Sequence, residues 1–333
     1  MSRVALTRTL PVSDHRLAVP ALAEQVIATV EEKDKGQDMK PSRSYRYSVV
    51  DVFTEQPLEG NSLAVFPDAS GLDDDMMQRI ARELNLSETT FVFPATRADC
   101  VANVRIFTPN TEMIFAGHPT IGTSFVLLEE GIVSDGVEHF VLEEKVGPVP
   151  IRVDLGVRPL IWLRTPPIEY GRNYEPAACA DMLSLKVNDL IDVAPQWVSA
   201  GNPTIFVAVR NREVVDRALL DVHGLKRLIG ADSEALCVFV FAPTLEGAYS
   251  RMFAPFYGIS EDPATGSSTG PLASFMMRSG LTSSTAGRRL ISEQGTKMGR
   301  RSILHVCVHG ENGTLGIDVG GYVTPLTEAT MRL

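Results

Sequence analysis

The chain has 333 residues, of which 44% are apolar and 22% charged, and its formal net charge is −10. This composition excludes a disordered chain, and the excess of acidic residues argues against nucleic acid or an anionic membrane surface as a partner, because both attract clusters of Lys and Arg. Its four cysteines are too widely spaced for a disulfide framework, no metal motif is present, and no apolar run is long enough to cross a bilayer, so we expect a soluble, cytoplasmic protein that handles small molecules.

Residues 1–43 differ from the rest of the chain. They contain charged stretches without a repeating apolar face, which favours a mobile N-terminal extension, because termini are loose unless they are packed. A transit peptide is the alternative interpretation. Asp14, Glu24 and the lack of an Arg-rich amphipathic face argue against it.

From Tyr45 onward, strands and a few helices alternate. The segments YRYSVVDVF and NSLAVF are predicted strands, separated by the turn-forming EQPLEGN. A helix follows, since three Asp at 73–75 suit a first turn and apolar residues then recur at helical spacing until about Asn85. After Glu88 the segment TTFVF predicts another strand. The pattern indicates an α+β protein dominated by antiparallel sheet.

Four pairs of segments repeat in the same order along the chain. They are a Gly-Asn pair before a strand, a Ser-Glu pair before a strand, RIFTP with RMFAP, and GHPTIGTSFVLLEEG with GSSTGPLASFMMRSG. Their offsets increase from 141 residues (60 to 201) to 149 residues (117 to 266). This order predicts a duplicated unit, with one half at 44–170 and the other at 190–333, whose last strands could pack back on the first half. By this spacing Glu234 repeats Glu88, and we interpret Glu234 as structural.

The last pair of segments predicts two unusual helices. Both carry apolar residues on every face, and a helix that is apolar all round must be buried all round. In a β-rich domain the inside of a curled sheet can bury a whole helix. We therefore expect two pseudo-symmetric β-barrel-like halves, each wrapped around one central helix.

The starts of these two helices predict an anion site. Gly117-His118-Pro119 and Gly266-Ser267-Ser268 begin them, and the first turn of a helix has unpaired backbone N–H groups and a partial positive charge. If both starts meet in the cleft between the halves, they suit a carboxylate. An acidic protein could then bind an acidic substrate without a basic patch.

Several motifs in one order resemble a known family. The strings GNSLAVF, NLSETTFVF, RIFTP, FAGHPTIGT, VSAGNPTIF, EDPATGSSTGPL and EQGTKMGRRSILHV are similar to those of the phenazine-biosynthesis PhzF-like isomerases, and the resemblance covers about residues 45–333. It implies a diaminopimelate-epimerase-like fold with the active site between two halves. It also implies a cofactor-independent homodimer that shifts a proton on a small carboxylate. In the archetype the substrate is a dihydro-hydroxyanthranilate.

The resemblance also assigns roles by motif position. It implies that Glu88 is the general acid/base and that His118, Asp262 and Ser267 act beside it. The groups expected to bind the substrate are the amides near Gly117, Gly266 and Ser267, together with Asn61, Asn202 and Ser268. Ser62 and Ser268 depart from the family's pattern, which leaves the polarity of the pocket and the substrate open.

Two alternatives remain at this point. The chain could be a catalytically silent protein that binds a metabolite in the same pocket. It could also be an epimerase that uses Glu88 with a second base other than Cys, such as Asp262. A design with two thiols is disfavoured, because His118 and Ser267 occupy the equivalent positions and none of the four cysteines lies in either motif.

Overall fold

A computed structural model of the chain describes residues 43–230, 236–311 and 314–333. The extension expected over residues 1–43 lies, apart from its last residue, outside the described residues, and so does Glu234. The fold is a mixed α+β fold dominated by sheet. No helix among the described residues is long and apolar enough to cross a membrane.

Eighteen strands in the described part of the chain form one hydrogen-bonded network. In chain order they are β1 Ser44–Val52, β2 Asn61–Phe66, β3 Glu88–Phe93, β4 Ala102–Phe107, β5 Glu112–Met113, β6 His139–Glu144, β7 Gly147–Asp154, β8 Leu160–Arg164, β9 Glu169–Asn173, β10 Gln196–Ser199, β11 Thr204–Ala208, β12 Cys237–Pro243, β13 Gly247–Ala254, β14 Ile259–Asp262, β15 Arg289–Gln294, β16 Ser302–Glu311, β17 Thr314–Gly321 and β18 Val323–Arg332.

Six α-helices are found among the described residues. They are α1 Asp74–Leu84, α2 Gly117–Glu129, α3 Pro176–Met182, α4 Arg212–Arg217, α5 Val222–Ile229 and α6 Gly266–Arg278. The helix predicted after the three Asp residues is confirmed as α1. The Asp73 side chain accepts a hydrogen bond from the amide of Met76 at 2.8 Å, and Asn85 ends the helix in the left-handed conformation with φ 51°.

Helices α2 and α6 are equal in length and largely buried. All residues of α2 from Gly117 to Leu127 are buried, and so is most of α6. Close packing depends on a glycine in the second turn of α2, since a Cβ on Gly122 would lie 2.6 Å from Leu63. The apolar residues around α2 belong to one core cluster, and those around α6 to two others.

The same order of strand pairing occurs twice. Strands β2 and β3 pair in parallel, β3 and β4 antiparallel, β4 and β6 in parallel, and β6, β7 and β8 antiparallel. Strands β11, β12, β13, β15, β16 and β17 repeat this sequence of parallel and antiparallel pairs. The two series are joined by antiparallel pairing of β8 with β17. Strands β1 and β18 extend the first series beyond β2, and β10 and β9 extend the second series beyond β11 in the same way. The domain limits at 44–170 and 190–333 stay a prediction.

Candidate active site

The starts of α2 and α6 lie against each other. A Cβ built on Gly117 would be 3.1 Å from the backbone nitrogen of Ser267 and 3.3 Å from the Cα of Gly266, so glycine permits this approach. Neither N-cap residue, Ala116 or Thr265, caps its helix with a side-chain hydrogen bond. Two helix N-termini that are not capped by side chains therefore meet, and both favour an anion.

A cavity of about 460 Å³ lies beside the two helix starts, a volume within the range of small-molecule sites. Seven of the predicted site residues line it: Glu88, His118, Asp262, Ser267, Gly117, Gly266 and Asn202. Much of the remaining wall is apolar, including Met113, Phe115, Pro148, Pro166, Met252, Tyr257 and Ile259. A ligand with an apolar body and a carboxylate would match both parts of the wall.

Glu88 and His118 form a buried pair in this wall. Glu88 is the first residue of β3, and its Oε2 lies 3.3 Å from Nε2 of His118 in the first turn of α2. The orientation does not complete a hydrogen bond, and neither atom has a hydrogen-bond partner among the described residues. Both atoms are buried, and each keeps an unused capacity for a hydrogen bond within the described residues.

Burial determines the protonation states of Glu88 and His118. It raises the pKa of Glu88 well above its usual value, and the Asp262 carboxylate raises that pKa further. Burial also lowers the pKa of His118 to about 3, although a hydrogen bond with the Ser62 backbone opposes the shift. His118 is consequently neutral near pH 7, and the pair is not an ion pair.

Asp262, the last residue of β14, is held by a network of hydrogen bonds. Asn61 donates to its Oδ1 at 2.9 Å, and the Thr265 hydroxyl donates to its Oδ2. The fully buried Gln294 donates to the Asp262 carbonyl at 2.7 Å and accepts from the Thr265 amide at 3.2 Å. Burial raises the pKa of Asp262 to about 6, against the effect of the bonds from Thr265 and Asn61. Asp262 is thus a fixed carboxyl that titrates near neutral pH.

A second polar group lies at the start of α6. The Asn202 side-chain amide donates to the hydroxyls of Ser267 at 3.3 Å and of Ser268 at 3.4 Å. The Cys237 thiol donates to Oδ1 of Asn202 at 3.5 Å. Asn202, Ser267 and Cys237 all line the cavity.

Two residues that we expected to bind substrate lie behind the cavity wall. Asn61 is 1% exposed, and besides Asp262 it donates to the Ala264 carbonyl at 3.1 Å. Ser268 is fully buried, with its hydroxyl 3.1 Å from that of Thr204. Neither lines the cavity. Their polar groups are used within the protein, so they support the wall rather than form it.

The loop that leads to Asn61, the first residue of β2, is fixed from a distant part of the chain. Arg300 donates to the Gly60 carbonyl at 3.0 Å and, at 2.7 Å each, to the Asp51 carboxylate and the Ser62 hydroxyl. Ser62 also donates to Asp51 at 2.8 Å, and Asp51 is fully buried. The departure at Ser62 therefore changes the support of this loop and not the lining of the cavity.

Sequence reasoning missed Arg164 and Cys237. Arg164 is the only Lys or Arg among the described residues that line the cavity, and its Nε donates to Asp318 at 2.7 Å. It ends the strand LIWLR, where no motif marks it. Cys237 begins a strand in the same way as Glu88 does, but only the strand pairing makes this visible.

Comparisons with known proteins give one consistent result. The profile of the family described as "Phenazine biosynthesis-like protein" matches residues 50–328. The trans-2,3-dihydro-3-hydroxyanthranilate isomerase of Pseudomonas aeruginosa is 36% identical over 80% of this chain and 91% of its own length. The PhzF-family phenazine biosynthesis protein of Bacillus anthracis superposes with a TM-score of 0.80 at 26% identity, covering 87% of this chain and 99% of that one.

A more distant structure shows the fold alone. The hydroxyproline epimerase of Agrobacterium vitis superposes with a TM-score of 0.59 at 13% identity, covering 89% of this chain and 94% of that one. The sheet-dominated architecture is therefore shared beyond the isomerases.

Proposed function

The chain belongs to the phenazine biosynthesis-like (PhzC-PhzF) family and is an isomerase, and on that premise we propose that Glu88 shifts a proton between two carbons of a small carboxylate-bearing substrate, without a cofactor. The family resemblance seen in the sequence motifs is confirmed. We also infer that the chain is a duplicated unit whose two halves each surround one central helix. A homodimer and a cytoplasmic location remain predictions from the sequence.

One observation carries the proposal. The Glu88 carboxyl lines the cavity beside the two helix starts, and its Oε2 has no hydrogen-bond partner among the described residues. A general base works best when its pKa is close to the working pH, and burial moves the pKa of Glu88 in that direction. A buried carboxyl with a free oxygen in a cavity suits proton transfer better than it suits structure, because leaving it unpaired costs stability.

The bound substrate would be oriented by its carboxylate. Backbone amides near Gly117, Gly266 and Ser267 would donate to it, and Arg164 would add positive charge at the same wall. The apolar wall would hold the rest of the molecule. This binding mode explains how a protein with a net charge of −10 can take an anion.

The proton transfer needs only one carboxyl. Ionised Glu88 takes a proton from a substrate carbon, the electron pair of that C–H bond moves into the conjugated system, and a double bond shifts. The protonated carboxyl then gives a proton to another carbon, so no oxidant or reductant is required. Neutral His118 can accept a hydrogen bond from protonated Glu88 at Nε2, and Asp262 keeps the pKa of Glu88 high.

The substrate class follows from the relatives and the cavity. We propose a small, cyclic, unsaturated carboxylate, for which trans-2,3-dihydro-3-hydroxyanthranilate, named for the Pseudomonas aeruginosa relative, is the first compound to try. The cavity volume of about 460 Å³ accommodates such a ring.

The test follows this compound in heavy water by NMR. The wild type should form an isomerised product that carries deuterium, and Glu88→Gln should be slower by about 10²–10⁴-fold. Glu144→Gln is the matched control, since Glu144 is also a buried carboxyl but does not line the cavity. A Glu88→Gln variant as active as the control contradicts the role of Glu88. Tight binding without deuterium incorporation by the wild type favours the silent binding protein.

An epimerase is the second candidate, and the position of Asp262 favours it. Asp262 lines the same cavity, and its pKa is raised to about 6, so it could serve as a second base. Chiral analysis of the product separates the two functions. An epimerase inverts one carbon and leaves every double bond in place, whereas an isomerase moves a double bond.

A further inference from the structure

The register of the strand pairs shows which residue of the second half corresponds to Glu88, and this residue differs from the one indicated by spacing along the sequence. In the parallel pair β2–β3, Glu88 lies opposite Leu63, two residues after Asn61. In the parallel pair β11–β12, Cys237 lies opposite Thr204, two residues after Asn202. Glu88 and Cys237 therefore occupy the same position relative to the Gly-Asn motif of their own half.

The next strand pair supports the same relation. Phe91, three residues after Glu88, lies opposite Arg105, and Val240, three residues after Cys237, lies opposite Arg251. The expectation that Glu234 repeats Glu88 was wrong by three positions. Val240 and its partner Arg251 are 11 residues apart, three fewer than the 14 between Phe91 and Arg105, so counting back the same distance from both arginines overshoots in the second half.

The neighbours of the two residues also correspond. At the start of α2, Nδ2 of Asn61 lies 3.4 Å from Nδ1 of His118, whose other nitrogen faces Glu88. At the start of α6, Asn202 donates to Ser267 and accepts from Cys237. His118 and Ser267 are each the second residue of their helix. Each helix start thus carries an Asn, a second-position side chain and a strand-start side chain.

The two strand-start side chains differ in their chemistry. The carboxyl of Glu88 has a free oxygen and can exchange a proton with a ligand. The thiol of Cys237 is 1% exposed and donates its hydrogen to Asn202. Burial and the Asp262 carboxylate raise the pKa of Cys237 to about 12, so the thiol stays protonated near pH 7.

Building on the proposed function, we propose that Cys237 is a specificity-determining residue: it fills the place of a second acid/base with an un-ionised group, and so restricts proton transfer to the substrate face that Glu88 covers. Glu88 and Cys237 both line the cavity beside the helix starts that adjoin at Gly117 and Gly266, and on this proposal a ligand held there has one of the two side chains on each face. A proton taken by Glu88 then returns to the same face, and one stereoisomer of the product results.

The test moves the carboxyl from one position to the other. In the Glu88→Gln background, Cys237→Asp is compared with Cys237→Asn, which has the same shape but no base. With trans-2,3-dihydro-3-hydroxyanthranilate in heavy water, the Asp double variant should form product about tenfold or more faster than the Asn double variant. Its deuterium should lie on the face opposite to that labelled by the wild type. Equal rates in two folded double variants that bind the compound equally would overturn the proposal.

A conservative variant keeps the test decisive if the Asp double variant does not fold. Cys237→Ser should label the same single face as the wild type, because Ser is also un-ionised near pH 7. A mixture of stereoisomers, or loss of activity comparable to that of Glu88→Gln, would mean that the thiol itself moves the proton, and the proposal would fail. Failure of the proposed function looks different, since the wild type would then form no deuterated product or Glu88→Gln would remain fully active.

Discussion

The side-chain amide of Asn61 donates a hydrogen bond of 2.9 Å to the carboxylate of Asp262, across 201 positions of the sequence. The same amide group donates to the Ala264 carbonyl at 3.1 Å. It therefore ties the Gly-Asn loop before β2 to the turn between β14 and α6. One buried amide behind the cavity wall therefore holds a turn that lines the cavity.

Replacing Asn61 by Ala should lower both stability and activity. Two buried acceptors lose their donor, which costs about 1–3 kcal/mol for each group left unsatisfied. The Asn61 bond lowers the pKa of Asp262, so its removal should raise that pKa above about 6. Thermal unfolding and the pH profile of isomerisation measure the two effects. A variant with the melting temperature and the profile of the wild type would contradict the role given to this bond.

The kcat/KM of isomerisation should fall as the pH is lowered, and the midpoint of this fall should lie at a pH well above 4.5. Glu88 must be ionised to take a proton, and burial together with Asp262 raises its pKa above the usual 4.5. His118 should add no step between about pH 5 and pH 8, because its pKa is lowered to about 3. The dependence of kcat/KM on pH tests both statements. A midpoint at 4.5 would show that Glu88 is not desolvated when it acts.

Asp262→Asn should shift this acidic limb to lower pH. The negative charge of Asp262 raises the pKa of Glu88, so removing that charge should lower it. Asn keeps an oxygen that can accept the bond from Asn61. The control is Glu144→Gln, which also removes a buried carboxyl but should leave the limb unchanged. If the acidic limb of Asp262→Asn lies at the same pH as that of the wild type, the charge of Asp262 does not influence the pKa of Glu88.

Gly117→Ala should weaken binding of the substrate carboxylate. The added Cβ would lie 3.1 Å from the Ser267 nitrogen and 3.3 Å from Gly266, closer than ordinary contact, so the two helix starts must separate. Their amides would then no longer converge on one anion. We expect KM to rise more than kcat falls, measured with trans-2,3-dihydro-3-hydroxyanthranilate as the proposed substrate. Gly131→Ala is a poor control because φ is +67° there, whereas Gly156→Ala meets only the Arg158 carbonyl at 3.4 Å and should be neutral.

Local signals in the sequence predicted part of this structure well. The cap at Asp73, the strand starts and the two buried helices depend on neighbouring residues, and the sequence shows those directly. Glu88, His118, Asp262 and Ser267, which the motifs singled out, line one cavity. The catalytic roles of these residues remain proposals.

Features set by remote pairing were not predictable in this way. Cys237 faces the cavity because of its register with β11, and Asn61 turns away from it because Asp262 and Ala264 take its hydrogens. Arg300 fixes the loop that leads to Asn61 by donating a hydrogen bond to the Gly60 carbonyl, which is 240 residues away in the sequence. No local pattern carries this information, since each contact depends on how distant strands align.

Glu144→Gln should make the protein more stable than the wild type by an amount that grows with pH. Oε1 of Glu144 accepts from the Thr120 hydroxyl at 2.6 Å, while Oε2 has no partner among the described residues. Burial raises the pKa of this carboxyl from 4.5 to about 8, against the effect of Thr120. Between these values the unfolded chain loses a proton that the folded chain keeps, so rising pH favours unfolding. Below 4.5 both states are protonated, and the carboxyl has no effect on the pH dependence.

Gln removes this titration and keeps a group that can accept from Thr120. Urea unfolding at about pH 5 and pH 8 should therefore show the difference in unfolding free energy, variant minus wild type, increasing by a few kcal/mol, on the order of 1.4 kcal/mol for each unit of pKa shift. The titrations of Glu88 and Asp262 occur in both proteins and cancel in this difference. A difference that stays constant across the range would show that Glu144 ionises in the folded protein, with water or a cation reaching Oε2.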